Sequence, residues 1–328
     1  MVDKIKWGVL GAAQIAMEKV IPAMQKGQYS EIFAIASRDI SKSKKIAEKL
    51  KITSAYGSYE ELLEDKNIDA VYIPLPNHLH VEWSIKCMEA GKHVLCEKPL
   101  ALTTEEIKKL IEVRDRTGMK ISEAFMVRSH PQWIKAREMV QNGTLGDLKA
   151  IQGFFSYFNR DAGNIRNIQE YGGGSIWDIG CYPINTSRLL FNEEPTRVIA
   201  LMENDSEFKV DRLSSAILDF PSGQAVFTSA TQLAPYQRMT AFGTEKYLEI
   251  EIPFNSPMDE PTRLFLNGNE TIKIETCDQY THQGDNFSLS VINNSEVPVT
   301  LEDSLNNTAV INALFESAKS GTWKNVKK

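Results

Sequence analysis

Three clusters in this chain have residue types and spacing suited to chemistry. The first is Glu97-Lys98-Pro99, directly after the apolar run His93-Val94-Leu95-Cys96. Lysine and glutamate are almost never fully buried unless paired, and open α/β sheets bind ligands at the carboxyl ends of their strands. A lysine at the end of a buried strand is therefore a candidate catalytic group, cationic or poised to donate a proton to a substrate oxygen. The plainer reading is a surface turn with an ordinary ion pair. The second cluster is Asp178 and Tyr182, which follow Gly172-Gly173-Gly174. The glycines read as a flexible lead-in to a helix, on which positions i and i+4 share a face. The pair is either a structural Tyr–Asp hydrogen bond or a polar pair facing a cleft. The third is Leu75-Pro76-Asn77-His78-Leu79-His80. A helix cap alone accounts for Asn77, and the two histidines have no carboxylate or thiolate at ligand spacing, so no metal is expected.

A nucleotide signal precedes all three. Gly11-x-Ala13-x-x-Ala16 stands where the dinucleotide fingerprint G-x-G-x-x-G/A belongs, between a strand and a helix, with its second glycine replaced. The glycines of that fingerprint let backbone approach pyrophosphate, and the helix N-terminus supplies N–H groups and a positive dipole; a merely tight turn is the alternative. At the end of the second strand, where NAD binders carry an acidic residue for the ribose 2′-OH, this chain has Ser37-Arg38. A hydroxyl and a guanidinium suit a 2′-phosphate, which favours NADP over NAD. Asp39 can still serve as the acidic residue if the strand runs one position longer.

These residues need a sheet to position them. The periodicity predicts strands at 5–10, 32–37, 54–56, 70–74, 93–96 and 120–124, alternating with helices at 14–26, 41–50, 59–65, 80–90 and from Thr103 or Thr104 to Gly118, the first kinked at Pro22. That alternation predicts a parallel, doubly wound sheet in the six-stranded Rossmann order. After His130-Pro131 the pattern predicts a helix at 133–141 and then strands at 148–159, 198–203, 214–220, 225–231, 238–242 and 247–252. Turns fall at Pro221-Ser222-Gly223 and Asn267-Gly268-Asn269, and helices at 284–294 and 304–320 close the chain. The expected organisation is a dinucleotide-binding Rossmann domain at 1–124 and, at 125–328, an α+β domain with an open, mostly antiparallel sheet for substrate binding and oligomerisation.

The bulk composition narrows the partners. With 328 residues, 42% hydrophobic and 24% charged, the chain has the make-up of a soluble globular protein of about two domains. A net charge of −6 leaves no basic stripe for nucleic acid. Four scattered cysteines without C-x-x-C spacing, no apolar signal core and no long apolar run predict reduced thiols, no disulfide framework, no membrane span and a cytoplasmic location.

In combination the motifs resemble a family. Gly11-x-Ala13-x-x-Ala16, Pro76-Asn77-His78-x-His80, Ala90-Gly91-Lys92-His93 running into Glu97-Lys98-Pro99, and Asp178-x-Gly180-x-Tyr182 occur in the order and spacing of the Gfo/Idh/MocA oxidoreductases, the glucose-fructose oxidoreductase and inositol dehydrogenase family. The likeness is dense over residues 5–190 and looser afterwards. Many members carry histidine where this chain has Tyr182. With Glu123-Ala124-Phe125-Met126 and Asn164-Ile165-Arg166, the tyrosine form resembles dimeric dihydrodiol dehydrogenases and NADP-dependent D-xylose dehydrogenases. The resemblance implies NADP at Gly11, Ala12, Ala13, Gln14 and Ile15, at Ser37 and Arg38, at Leu75, Pro76, Asn77 and His80, at Glu97 and Lys98, and at Arg166, with Tyr280 a weaker carry-over. It also implies a cis Lys98–Pro99 bond that aims the lysine into the cleft, and a homodimer or homotetramer built through the second sheet.

The expected reaction is hydride transfer between the nicotinamide and a C–OH or C=O of a sugar, polyol or trans-dihydrodiol. Tyr182 exchanges the proton, Lys98 stabilises alkoxide charge and lowers the tyrosine, and Asp178 orients them. Phe125, His130, Phe158, Trp177 and Asn185 are candidate lining residues. The competing readings are an NAD-dependent glycosidase on the same fold, a non-catalytic NADP-sensing protein, and a Rossmann protein of unrelated activity.

Overall fold

The computed structural model describes residues 4–327. Elements of the amino-terminal part are β1 (Ile5–Leu10), α1 (Ile21–Met24), β2 (Ser30–Ala36), α2 (Ile40–Leu50), β3 (Ser54–Tyr56), α3 (Tyr59–Glu64), β4 (Ala70–Ile73), α4 (His80–Glu89), β5 (His93–Cys96), α5 (Thr104–Thr117) and β6 (Ile121–Glu123). They continue with α6 (Pro131–Gln141), β7 (Leu148–Phe158), α7 (Cys181–Phe191), β8 (Arg197–Asn204), β9 (Asp211–Asp219), β10 (Gln224–Ala230), β11 (Gln232–Gly243), β12 (Tyr247–Ile250), β13 (Thr262–Leu266), β14 (Glu270–Ile274), α8 (Gln279–Ile292), α9 (Leu301–Ser320) and β15 (Lys324–Asn325).

The chain divides into two compact units. The first comprises the chain up to Ser129 together with Asp278–Ser304, and the second His130–Cys277 with the chain from Leu305 onward. The sequence reading placed all of 125–328 in one domain. The difference lies in α8, which returns to the first unit. Its Phe287 is fully buried in the core with Trp7, Met24 and Ile35, and Ser288 Oγ accepts the Trp7 indole N–H at 3.2 Å.

In the first unit six parallel strands run in the order β3-β2-β1-β4-β5-β6, the Rossmann order expected. The middle strands are buried on both faces, as a sheet covered by helices requires. Helix ends follow local chemistry. Thr103 and Glu106 form a reciprocal capping box on α5, and Gly118 closes it at φ +70°. The predicted Pro22 kink is a change of helix type. Residues Ala16–Val20 form a π-helical turn, and Pro22 sits in the first turn of α1, where its missing N–H is harmless.

The second unit holds a nine-stranded sheet, β14-β13-β12-β11-β7-β10-β9-β8-β15, in which only β7 and β10 pair in parallel. Every residue of α7 is buried. Gly153 on β7 lets the helix approach, since a Cβ there would lie 3.2 Å from Pro183. Alternation along β10, with Ala225 and Phe227 buried and Val226 40% exposed, shows a sheet covered on one face and open on the other. The β13–β14 hairpin around Asn267-Gly268 was foreseen as a turn but not as strands.

Candidate functional site

At the end of β1 the chain turns through Gly11 at φ +95°, a conformation that favours glycine. A Cβ there would lie 2.8 Å from Leu75 Cδ2. Ala12 and Ala13 follow, both small and half-buried, and Ala13 accepts the Met17 N–H at 3.1 Å to start the helix. The first N–H groups of that helix have no intrahelical acceptor and lie at its positive end. This small-residue turn fits a dinucleotide pyrophosphate. Ile15 packs on the core, while Gln14 is exposed and donates to the Glu18 carboxylate at 3.0 Å.

At the end of β2, Ser37 is buried. Its hydroxyl donates to Asp39 O at 2.7 Å and pairs with Ser43 Oγ at 2.8 Å. Asp39 caps α2, its carboxylate accepting the Ser41 N–H at 2.9 Å. Arg38 is exposed. At this edge, then, serine and aspartate serve the protein's own turn, and the guanidinium is the group presented outward.

Leu75, Pro76 and Asn77 form the turn after β4, with Leu75 buried and the other two half-buried. His80, expected at the cofactor, stands between two turns of the backbone. Its ring is fully buried, with Nδ1 2.7 Å from Pro99 O and Nε2 2.7 Å from Leu75 O. Both nitrogens thus face backbone, and the ring ties the β4 turn to the β5 turn. Burial pushes its pKa down to about 4.

The β5 turn carries Glu97 and Lys98, both half-buried, and the Lys98–Pro99 bond is cis as expected. Leu100 N–H donates to Oε1 of the buried Glu123 at 2.9 Å. Tyr72 donates to Glu97 Oε1 at 2.6 Å. Burial first, then the Glu97 charge, raises the phenols of both Tyr72 and Tyr280. The first unit thus gathers Leu75, His80, Glu97, Lys98 and Tyr280 at the carboxyl edge of β4 and β5.

In the second unit Asp178 lies in a π-helical turn, Ile176–Gly180, that leads into α7, where Tyr182 sits. The α-helical spacing assumed for that pair is therefore interrupted. The glycine run is not a flexible lead-in. A Cβ on Gly173 would lie 2.5 Å from Arg166 O, and Gly174, at φ +113°, donates its N–H to that same carbonyl at 2.9 Å. Buried Asp211 anchors the helix start, accepting from Ser175 Oγ at 2.7 Å, Ile176 N–H at 2.9 Å and Ser214 Oγ at 2.9 Å.

Asp178 Oδ2 accepts from Tyr157 OH at 2.5 Å and from Arg166 Nε at 3.0 Å. Tyr182 is 5% exposed, its ring centroid 5.3 Å from Phe254 and 5.9 Å from Phe155. Sequence reasoning missed Tyr157, Phe155 and Phe254, which carry no motif. Among the lining candidates Phe125, His130, Trp177 and Asn185 are buried, and Trp177 stacks on Phe315 at 6.0 Å. Phe158 is 64% exposed. Among the described residues no group of three or more His, Cys, Asp or Glu could hold a metal, and no helix is long and apolar enough to cross a membrane.

A doubly wound sheet with a glycine turn and helix N-terminus after β1 and a lysine turn after β5 defines a dinucleotide-dependent α/β oxidoreductase. The chain belongs to the Gfo/Idh/MocA oxidoreductase family. Residues 5–125 match the model described as "Oxidoreductase family, NAD-binding Rossmann fold", and 133–249 match the Gfo/Idh/MocA C-terminal domain. It is 46% identical to an uncharacterised oxidoreductase of Rhizobium meliloti, over 99% of this chain and 100% of that one. It is 35% identical to an NADP-dependent D-xylose 1-dehydrogenase of Haloferax volcanii, over 96% and 98% of the two chains. Among solved structures it resembles a 3-ketoreductase from Actinomadura kijaniata, crystallised with NADP and TDP-benzene, with TM-score 0.90 and 28% identity over 96% of this chain and 98% of that one. The protein is an NAD(P)-dependent dehydrogenase or reductase.

Proposed function

We propose that the protein uses NADP to interconvert a C–OH and a C=O on a sugar, polyol or trans-dihydrodiol. The observation that carries this reading is the Glu97-Lys98-Pro99 turn at the carboxyl edge of β5, braced by His80 and Glu123. The preference for NADP rests on exposed Arg38 beside an Asp39 already spent on capping α2, and on the NADP-dependent D-xylose relative. That relative, and the trans-1,2-dihydrobenzene-1,2-diol dehydrogenase of Xenopus laevis at 32% identity, support the substrate class.

Gly11, Ala12, Ala13, Gln14 and Ile15 hold the pyrophosphate, Arg38 the 2′-phosphate, and Leu75, Pro76, Asn77, Glu97, Lys98, Arg166 and Tyr280 the remainder of the dinucleotide. Bound NADP supplies the hydride chemistry. The protein's residues manage the proton and the charge. Tyr182 exchanges the proton at its phenolic oxygen, an assignment that needs its pKa, ordinarily about 10, brought nearer working pH. Lys98 supplies the positive charge that stabilises the alkoxide and favours the phenolate. Asp178 is the orienting carboxylate.

The test is mutational. Lys98→Ala and Tyr182→Phe, assayed with D-xylose and with trans-dihydrodiols by absorbance of reduced nicotinamide, are each expected to lose at least ~100-fold in turnover with NADPH binding kept. Near-normal turnover in both variants removes these roles. We further assign a cytoplasmic homodimer or homotetramer that pairs through the open face of the nine-stranded sheet, where Leu201 is 78% and Tyr236 52% exposed. Sedimentation of the full chain as a monomer at micromolar concentration overturns that assignment.

A further inference from the structure

We infer that Tyr157 is a positioning residue that, through Asp178, fixes how Arg166 presents its guanidinium to an oxyanion of the dinucleotide. The inference rests on the cofactor role given to Arg166 above and adds a residue that no motif identifies.

Tyr157 lies on β7, Asp178 in the π turn before α7, and Arg166 in the short helical turn Ile165–Asn167. One carboxylate oxygen, Asp178 Oδ2, receives both the phenol at 2.5 Å and Arg166 Nε at 3.0 Å. Asn164 Oδ1 accepts the Arg166 backbone N–H at 3.1 Å, and Arg166 O accepts from Gly174 N–H at 2.9 Å. The backbone of Arg166 is thus pinned on two sides, and its side chain is held at Nε by Asp178 and, at longer range, at Nη1 by Asn164 Oδ1, 3.5 Å away.

An arginine held at Nε, with Nη1 in long reach of Asn164 Oδ1 at 3.5 Å, keeps its other Nη N–H groups to meet a ligand. Two parallel N–H groups of a guanidinium match two oxygens of a phosphate. The arginine side chain retains 42% exposure while Asp178 retains 11%, so the charged pair has a covered acid and an accessible base. Burial and the Asp178 charge raise the Tyr157 phenol above its ordinary range, so it stays a hydrogen-bond donor throughout working pH. Removing that hydroxyl takes from Asp178 Oδ2 one of the two donors that meet there and loosens its hold on Arg166 Nε.

The experiment is a four-protein cycle on the full chain: wild type, Tyr157→Phe, Arg166→Ala and the double variant, titrated with NADPH by nicotinamide fluorescence. The loss of a hydrogen bond to a charged group predicts about a 10-fold weaker Kd in Tyr157→Phe. In the Arg166→Ala background the same substitution is expected to change Kd less than about 2-fold, since the group it steers is gone. An unchanged Kd in Tyr157→Phe, or a full 10-fold loss that adds to Arg166→Ala, overturns the inference and leaves the cofactor assignment standing. A wild type that does not bind NADPH overturns both. Should Tyr157→Phe not fold, Asp178→Asn must show the same loss and the same non-additivity with Arg166→Ala, and their absence is equally fatal.

Discussion

The backbone N–H of Leu100 donates to Oε1 of Glu123 across 2.9 Å and closes the turn that carries Lys98. The two residues belong to neighbouring strand ends, since Cys96 on β5 is in register with Glu123 on β6. A glutamate only 4% exposed is thereby tied to backbone next to the candidate catalytic lysine.

Glu123→Ala removes that acceptor and is expected to destabilise the protein by about 1–3 kcal/mol, the range for a buried donor left unsatisfied. Glu123→Gln keeps a carbonyl oxygen in reach and should lose less. Urea midpoints at constant slope measure both, and an alanine variant as stable as wild type contradicts the bracing role.

Gly173→Ala places a methyl 2.5 Å from Arg166 O and 2.8 Å from Ile168 O. Both obstacles are backbone, so the loop must shift, and a loss of about 1–3 kcal/mol is expected from overpacking. Gly163→Ala is the control, because its added carbon meets only Asp161 Oδ1, at 3.4 Å. Thermal melts showing equal effects in the two variants would refute a packing role for the triple glycine.

Arg38→Ala tests the dinucleotide preference. Loss of a guanidinium–phosphate contact is expected to weaken NADPH about 10-fold or more while leaving NADH nearly unchanged. Fluorescence titration of both cofactors decides the matter, and a parallel loss for NADPH and NADH dismisses Arg38 as the 2′-phosphate ligand.

Acid stability supplies a fourth check. Asp205 accepts the Glu207 and Phe208 N–H groups at 2.7 and 3.0 Å and the Gln232 amide at 2.7 Å. The Phe208 backbone bond above all, then Gln232, lowers its pKa to about 2. The unfolded chain therefore takes up this proton first, near the ordinary aspartate value of about 3.9. The stabilisation is fully present above about pH 4 and drains away as pH falls towards 2. Asp205→Asn should flatten stability over that interval and be most costly above it, as read from urea midpoints across pH 2–6.

Much of this was legible in the chain because the responsible forces are local. Strand and helix periodicities alternate cleanly from Ile5 to Glu123, and one handedness rule then orders the sheet. What escaped was long-range. Tyr157 meets Asp178 from 21 residues away, with nothing in either segment to announce it. The strands Thr262–Leu266 and Glu270–Ile274 are short, and the second has only two apolar residues, Ile272 and Ile274, so pairing decides them and propensity does not. The periodicity predicts a helix at 284–294, whereas α8 already starts at Gln279, ahead of Gly284. It is a mid-helix glycine kept small by Met24, whose Cγ would lie 2.8 Å from an added Cβ. His80 was legible as a motif member, but its role as a strut depends on Pro99, 19 residues on.

The return of α8 to the first unit bears on synthesis. Asp285 accepts the backbone N–H groups of Gln28 at 2.7 Å and Tyr29 at 2.9 Å, and Phe287 fills the hollow beside Trp7. A ribosome that has made only the first 129 residues has therefore not made the whole of that core. The nucleotide-binding sheet must wait, incomplete and with apolar surface uncovered, until nearly the last helix emerges.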